Sequence, residues 1–189
     1  MGVYSVDGEP RFKFCSSVFG ISLILSIIIN YYLTSHAYFN SNLIIQSFLT
    51  ISPTFICALL LKYTPNKIVL YLVGIPDLTG VYSGHLITNY DNCKKIECSI
   101  TINQSLFSIS ISLKTDTSYS KNTSAHLKVD GDSVSLIYTY HNDGKCIDKQ
   151  LNQHYGTCIA TITSDCFDGR YYNDGSRQTN GEIKLKKQS

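Results

Sequence analysis

Downstream of residue 77 the chain has only two arginines, Arg170 and Arg177, and both fall in one short stretch with Asn173 and Thr179. Tyr82, Tyr138, Tyr140, Tyr171 and Tyr172 also lie downstream of residue 77. A guanidinium can hold an anion through paired hydrogen bonds, and a phenol ring can stack on a flat heterocycle. Both residue types also have plainer uses: tyrosines fill barrel cores and strand surfaces more often than they stack on ligands, and Arg170 could pack over an aromatic ring of the first strand. Chemistry of a catalytic kind is not indicated. The seven cysteines include Cys93 and Cys98 with four residues between them and no second pair, and His36, His85, His126, His141 and His154 form no ligand-spaced cluster. There is no phosphate-cradling glycine loop, no nucleophile elbow and no paired histidine on a helix, so neither an enzyme nor a metal or cofactor is expected. Asn103-Gln104-Ser105 and Asn122-Thr123-Ser124 match a glycosylation pattern that is common by chance.

The elements that must position these residues are of two kinds. The 189 residues carry a net charge of only +2, and mean hydropathy is close to zero, yet the 48 residues between Lys13 and Lys62 contain no Asp, Glu, Lys or Arg. Phe14–Leu33 is apolar apart from Ser16, Ser17, Ser22, Ser26 and Asn30, and at about 1.5 Å per residue it spans a hydrocarbon core of about 30 Å. Leu43–Leu61 does the same. A two-helix transmembrane hairpin is therefore expected, with residues 1–13 as a tail, 14–33 and 43–61 as the spans, 34–42 as a periplasmic loop and 62–76 as a linker, extended or interfacial where it runs through Ile68–Val73. A cleaved signal peptide is the alternative for the first span, but a second span follows it. Arg11, Lys13, Lys62 and Lys67 flank the hairpin and its short loop has no Lys or Arg, so both termini are expected in the cytoplasm of a multi-pass inner-membrane protein. Ser22, Ser26 and Asn30 recur every fourth residue, as do Gln46, Thr50 and Thr54, which puts each set on one helix face. Such faces serve either as the seam of the hairpin or as contacts between hairpins in an oligomer. Pro53 predicts a kink in the second span.

From Leu78 the period changes to two. Leu78–Thr88, Glu97–Asn103, Leu106–Lys114, Ser118–Val129, Ser133–His141, His154–Thr163, Phe167–Asn173 and Thr179–Lys186 all read as extended, separated by turn residues such as Asp130-Gly131-Asp132. About eight consecutive strands without an intervening helix predict an antiparallel up-and-down β-barrel over residues 77–189, with a β-sandwich as the alternative. This region carries twelve acidic and twelve basic side chains, which excludes binding of a nucleic-acid polymer by charge excess.

Asp77-Leu78-Thr79-Gly80-Val81-Tyr82-Ser83-Gly84-His85 opens the barrel with glycine, aromatic and glycine on one face, and Phe167 to Ile183 closes it. The opening resembles the first strand of lipocalin-type barrels, with Tyr82 where tryptophan is common. Together with two short N-terminal helices, the architecture resembles the CBASS membrane effectors of bacterial anti-phage defence. The resemblance implies a barrel that binds a cyclic di- or trinucleotide made by a cognate nucleotidyltransferase, then self-association into oligomers, disruption of the inner-membrane lipid and abortive infection. On that reading Tyr82, Tyr140, Arg170, Tyr172, Asn173, Arg177 and Thr179 are the expected ligand contacts, the tyrosines by stacking and the arginines at phosphates. Two alternatives remain: a membrane-tethered, lipocalin-like carrier or scaffold for an apolar ligand, and, more weakly, a holin-like pore former with a regulatory cap. The carrier predicts an interior of Ile, Leu and Phe, whereas the receptor predicts Arg, Tyr and Asn or Thr converging at one mouth.

Overall fold

In the computed structural model residues 2–35, 52–89, 95–144, 154–174 and 179–188 are described. Eight of its strands follow one another around a closed antiparallel barrel: β2 (Gly80–Thr88), β3 (Lys95–Gln104), β4 (Ser108–Lys114), β5 (Ser118–Asp130), β6 (Ser133–Gly144), β7 (His154–Ile162), β8 (Cys166–Asn173) and β9 (Asn180–Lys187), with β9 closing on β2. The expected barrel is thus present, within a few residues of the expected boundaries. Alternating burial produces it: Ile100, Ile102, Ile109, Ile111, Leu127, Leu136, Ile183 and Leu185 point inward, and the charged residues between them point out. At the tight β5–β6 turn Gly131 adopts φ +59°, which costs little without a side chain. Asn142, Asp143 and Gly144, turn residues by type, instead end β6, where all three pair with β5.

A ninth strand, β1 (Gly2–Val6), lies where a tail was expected. β4 and β5 pair directly only over Ser112–Lys114 and Tyr119–Lys121. Beyond the bulge at Asn122/Ser124 they part, and β1 fills the seam, antiparallel to β4 (Gly2↔Ile109) and parallel to β5 (Tyr4↔Ala125 to Val6↔Leu127). Tyr4 is buried, and its hydroxyl donates to the Ser105 carbonyl at 2.9 Å. The pairing compensates for the small core of a five-residue strand, since an open seam would leave two strand edges unpaired.

The chain divides into two compact units, Met1–Gly8 with Ile75–Ser189, and Glu9–Gly74. Within the second, helix α1 (Pro10–Ser35) starts with proline at its first position, a place where the missing N–H costs nothing. Its segment Pro10–Tyr32 has mean hydropathy 2.1 and is long enough to cross a membrane. Ile21, Leu23, Ile24, Leu25, Ile27 and Ile28 are exposed on it, while Ser22 and Ser26 are buried. That inversion suits an apolar surrounding outside and small polar residues at the helix contact. Helix α2 (Pro53–Tyr63) packs against α1. Ser52 caps it, accepting from the Phe55 N–H at 3.2 Å, so Pro53 starts a helix and does not kink one. Helix α3 (Asn66–Val73) follows at 110° to α2 and ends on Gly74 at φ +76°.

Two expectations are corrected here. Among the described residues one helix is long and apolar enough to span by itself, where two unbroken spans were expected; α2 has 11 residues, about 16 Å at about 1.5 Å per residue, and the sharp break at Thr64-Pro65 separates it from α3. Residues 43–51 of the expected second span lie outside the described residues. The segment Ile68–Val73 is helical where an extended linker was expected, because a buried face of Val69, Leu70 and Val73 at helical spacing outweighs the β preference of its branched residues. On the expected polar faces, Asn30 Nδ2 donates to Ser26 Oγ at 3.3 Å, Ser22 donates to the Val18 carbonyl, and the exposed Thr54 bonds the cap Ser52. Gln46 and Thr50 lie outside the described residues.

Candidate ligand-binding site

The barrel interior changes character along its axis. At one end Tyr82, Phe167, Ile102 and Ile109 are fully buried, with Ile75 and Leu78 closing the space beneath. Tyr82 packs edgewise on Phe167 at 6.1 Å, its hydroxyl donates to the Leu78 carbonyl, and Lys187 Nζ lies 5.6 Å from its ring centroid. Burial and nearby Asp77 and Asp165 raise its pKa. Gln104, itself buried, accepts from the Leu78 N–H at 2.8 Å and donates to the Tyr4 hydroxyl at 3.2 Å. This end is packed.

At the other end the inward positions become polar and aromatic. Tyr138, Tyr140 and Asn142 succeed one another on β6, and they face Cys158 and Gly156 on β7, Tyr171 and Asn173 on β8, and Thr179 and Gly181 where β9 begins. The Tyr140 hydroxyl donates to Asn173 Oδ1 at 2.7 Å, and Asn173 Nδ2 donates to Thr179 Oγ1 at 2.6 Å. Tyr138 and Tyr140 lie with ring centroids 6.0 Å apart. Two glycines leave room for the rings: a Cβ on Gly156 would fall 2.5 Å from the Tyr140 hydroxyl, and one on Gly181 would fall 2.6 Å from the Tyr171 ring. Burial raises the pKa of Tyr138 and Tyr140, and it pushes the Cys158 thiol up to about 12 and the Cys98 thiol to about 11. All four stay neutral at physiological pH. Among the described residues no charged side chain is buried in the barrel. This end therefore offers aromatic faces, hydroxyls and amides without a fixed charge, a set that can stack on rings and bond either donors or acceptors.

Of the residues singled out from the sequence, Tyr140, Asn173 and Thr179 come together in one hydrogen-bonded chain. Tyr82 sits at the opposite end of the interior, among the packed residues. Arg170 and Tyr172 point to the outer face of β8, where Tyr172 is 48% exposed. Arg177 lies outside the described residues. Tyr171 takes the interior position that had been expected of Tyr172, and Tyr138, Asn142 and Ser120 join it as buried polar or aromatic groups. Strand parity carries this information: Phe167, Gly169 and Tyr171 share one face, while Asp168 and Arg170 mark the other as solvent.

Residues 73–187 match the family model described as Cap15, cyclic dinucleotide receptor domain. The match covers more than half of the chain, which belongs to that family. No curated protein matches the chain.

Proposed function

We propose, from membership of the Cap15 cyclic dinucleotide receptor family, that this chain is a membrane-anchored effector of bacterial CBASS defence whose barrel receives a cyclic dinucleotide at its Tyr140–Asn173–Thr179 end. The family match over the barrel is the observation that carries the reading. Its local support is the convergence of Tyr138, Tyr140, Tyr171, Asn173 and Thr179 at one end of the interior, which provides stacking faces and neutral hydrogen-bonding groups. Tyr140, Asn173 and Thr179 contact the ligand directly, and Arg177, on the connection between β8 and β9, meets a phosphate. Arg170 and Tyr172 reach only a ligand that extends over the rim. Tyr82 contributes packing at the far end, which keeps the polar end in shape. A partner nucleotidyltransferase supplies the ligand, and ligand-bound barrels self-associate and disrupt the inner membrane.

The anchoring is supported by α1, whose length and outward apolar surface suit a bilayer. A return crossing is supported by β1: residues 2–6 pair with the same barrel as residues 80–187, so the segments before and after the helical unit lie on one side of any membrane. The return crossing then falls in the segment that carries α2 and α3, and the flanking Arg11, Lys13, Lys62 and Lys67 argue for the cytoplasm as that side.

Isothermal titration of the full chain in detergent micelles against cyclic di-GMP, cyclic di-AMP, cyclic GMP–AMP, cyclic di-UMP and a cyclic trinucleotide tests the reading. Binding of one dinucleotide, weakened about tenfold by Asn173→Ala through a lost hydrogen bond of about 1–1.5 kcal/mol, is the expected result. No heat with any member, from a folded barrel, would refute it. Heat on addition of a fatty acid instead would favour the apolar carrier.

A further inference from the structure

The seam between β4 and β5 is occupied by a strand that reaches it from the far side of the helical unit. β1 meets β4 at Gly2↔Ile109 and Val3↔Ser108, and β5 at Tyr4↔Ala125, Ser5↔His126 and Val6↔Leu127. Side chains of this segment bond to β3, to β5 and to the turn after β3. Tyr4 bonds Ser105 and Gln104, Ser5 Oγ lies 2.7 Å from His126 Nδ1, Asp7 Oδ1 lies 3.3 Å from His126 Nε2, and the Asp7 N–H donates to the Leu127 carbonyl. The covalent joint to α1 is short, and it is strained at Glu9, a non-glycine at φ +49°, next to Gly8 at φ +81°, which a glycine adopts freely.

We propose that this seam is an interaction surface for a second copy of the chain: β1 of one protomer leaves its own barrel and fills the β4–β5 seam of a neighbour. The backbone pairs and side-chain bonds just described all have both partners within the barrel unit, so each can be remade with the same partner in the exchanged form. The contacts broken in one barrel are remade in the next, and the strained joint is released. Exchange of an identical element across a short strained hinge is a low-cost route to association. Membrane anchoring favours it further, since confinement in a plane raises the effective concentration of neighbouring seams. The vacated seam exposes two strand edges, so a barrel that has lost its own β1 has a strong reason to take another. The proposal supplies a structural route to the self-association suggested above, and it does not depend on any nucleotide.

Two full-length chains carrying different affinity tags, one with Ser5→Cys and one with His126→Cys, are co-expressed in membranes and oxidised without nucleotide. Both positions are at the surface and face each other across the parallel pair. A single chain with both substitutions should close an internal disulfide. The mixed chains should give a product that carries both tags and falls about tenfold on tenfold dilution into lipid, as mass action requires. Adding Glu9→Gly, which removes the strain at the joint, should lower that product several-fold. Either substitution alone controls for native thiols such as the exposed Cys166. Absence of the mixed product while the internal disulfide forms overturns the proposal. So does a mixed product no more abundant than that of Ser5→Cys with Asp168→Cys on the outer face of β8, or failure of the internal disulfide itself. None of these outcomes bears on nucleotide binding, which the titration above decides separately.

Discussion

Gly156 is defined by what stands against it. Tyr140 occupies the space a Cβ would need, and the Tyr172 carbonyl lies 2.7 Å from the same point, so Gly156→Ala must move either the ring or the backbone. Overpacking of this kind costs about 1–3 kcal/mol, read by denaturant unfolding, and it should weaken nucleotide binding through the displaced Tyr140–Asn173 hydrogen bond. A second prediction at this scale follows from the neutral interior. Cys158 loses its proton near pH 9 when unfolded and at about 12 when folded, and Cys98, Tyr138 and Tyr140 are shifted upward in the same sense. Between pH 9 and 12 the unfolded chain therefore binds fewer protons than the folded one, and stability falls as pH rises through that window. Thermal unfolding at a series of alkaline pH values should show a steadily falling midpoint that levels off below pH 9; a midpoint flat up to pH 11 would contradict the burial of these groups. Cys158→Ala, which replaces a titrating side chain by a small neutral one, should flatten the profile.

At the scale of elements, the eight barrel strands were readable because most of them set Ile, Leu, Val or Tyr against Ser, Thr or Lys at a period of two, and Asp130-Gly131-Asp132 marks a turn in plain view. β1 was not readable. Its five residues, Gly2-Val3-Tyr4-Ser5-Val6, acquire meaning only from a seam more than a hundred residues away, and the apolar run directly after them draws attention to the membrane. α3 was misread for the opposite reason, since Ile68 and Val69 favour strands locally while Val69, Leu70 and Val73 form a buried face at helical spacing. The site was half legible: residue types pointed to the last hairpin, but the side of β8 that enters the barrel is fixed by register, which separates Arg170 and Tyr172 from Tyr171. The element that sequence reading missed gives the sharpest test. Tyr4→Ala removes a 2% exposed ring together with its bonds to Ser105 and Gln104, and it should destabilise the barrel by about 3–5 kcal/mol in chemical denaturation. A loss below about 1 kcal/mol would mean that β1 is not part of the folded barrel.

Considered as a whole molecule, the helical unit is an insertion into a barrel that begins before it and resumes after it. Gln104 bonds both flanks, Tyr4 on one side and Leu78 on the other. Joining Gly8 to Ile75 through a short Gly-Ser linker, with residues 9–74 removed, should yield a water-soluble barrel that binds the same nucleotide as the full chain. Residues 77–189 alone, lacking β1, should be less stable and prone to aggregate in size-exclusion chromatography. Topology follows the same logic: tags at either terminus should both be shielded from protease added outside the cell, whereas a reporter at His36 should be accessible there. A terminal tag cut from outside would refute the two-crossing arrangement. The order of synthesis adds a consequence of its own. Tyr4 leaves the ribosome 101 residues before Ser105, and at about 5–20 residues per second that is an interval of about 5–20 s. Throughout it the first strand has no partner, while the apolar helix behind it is already available to the insertion machinery. If α1 enters a membrane as proposed, it can do so before the barrel closes, and every newly made chain passes through a period in which its own seam does not yet exist and those of older neighbours do.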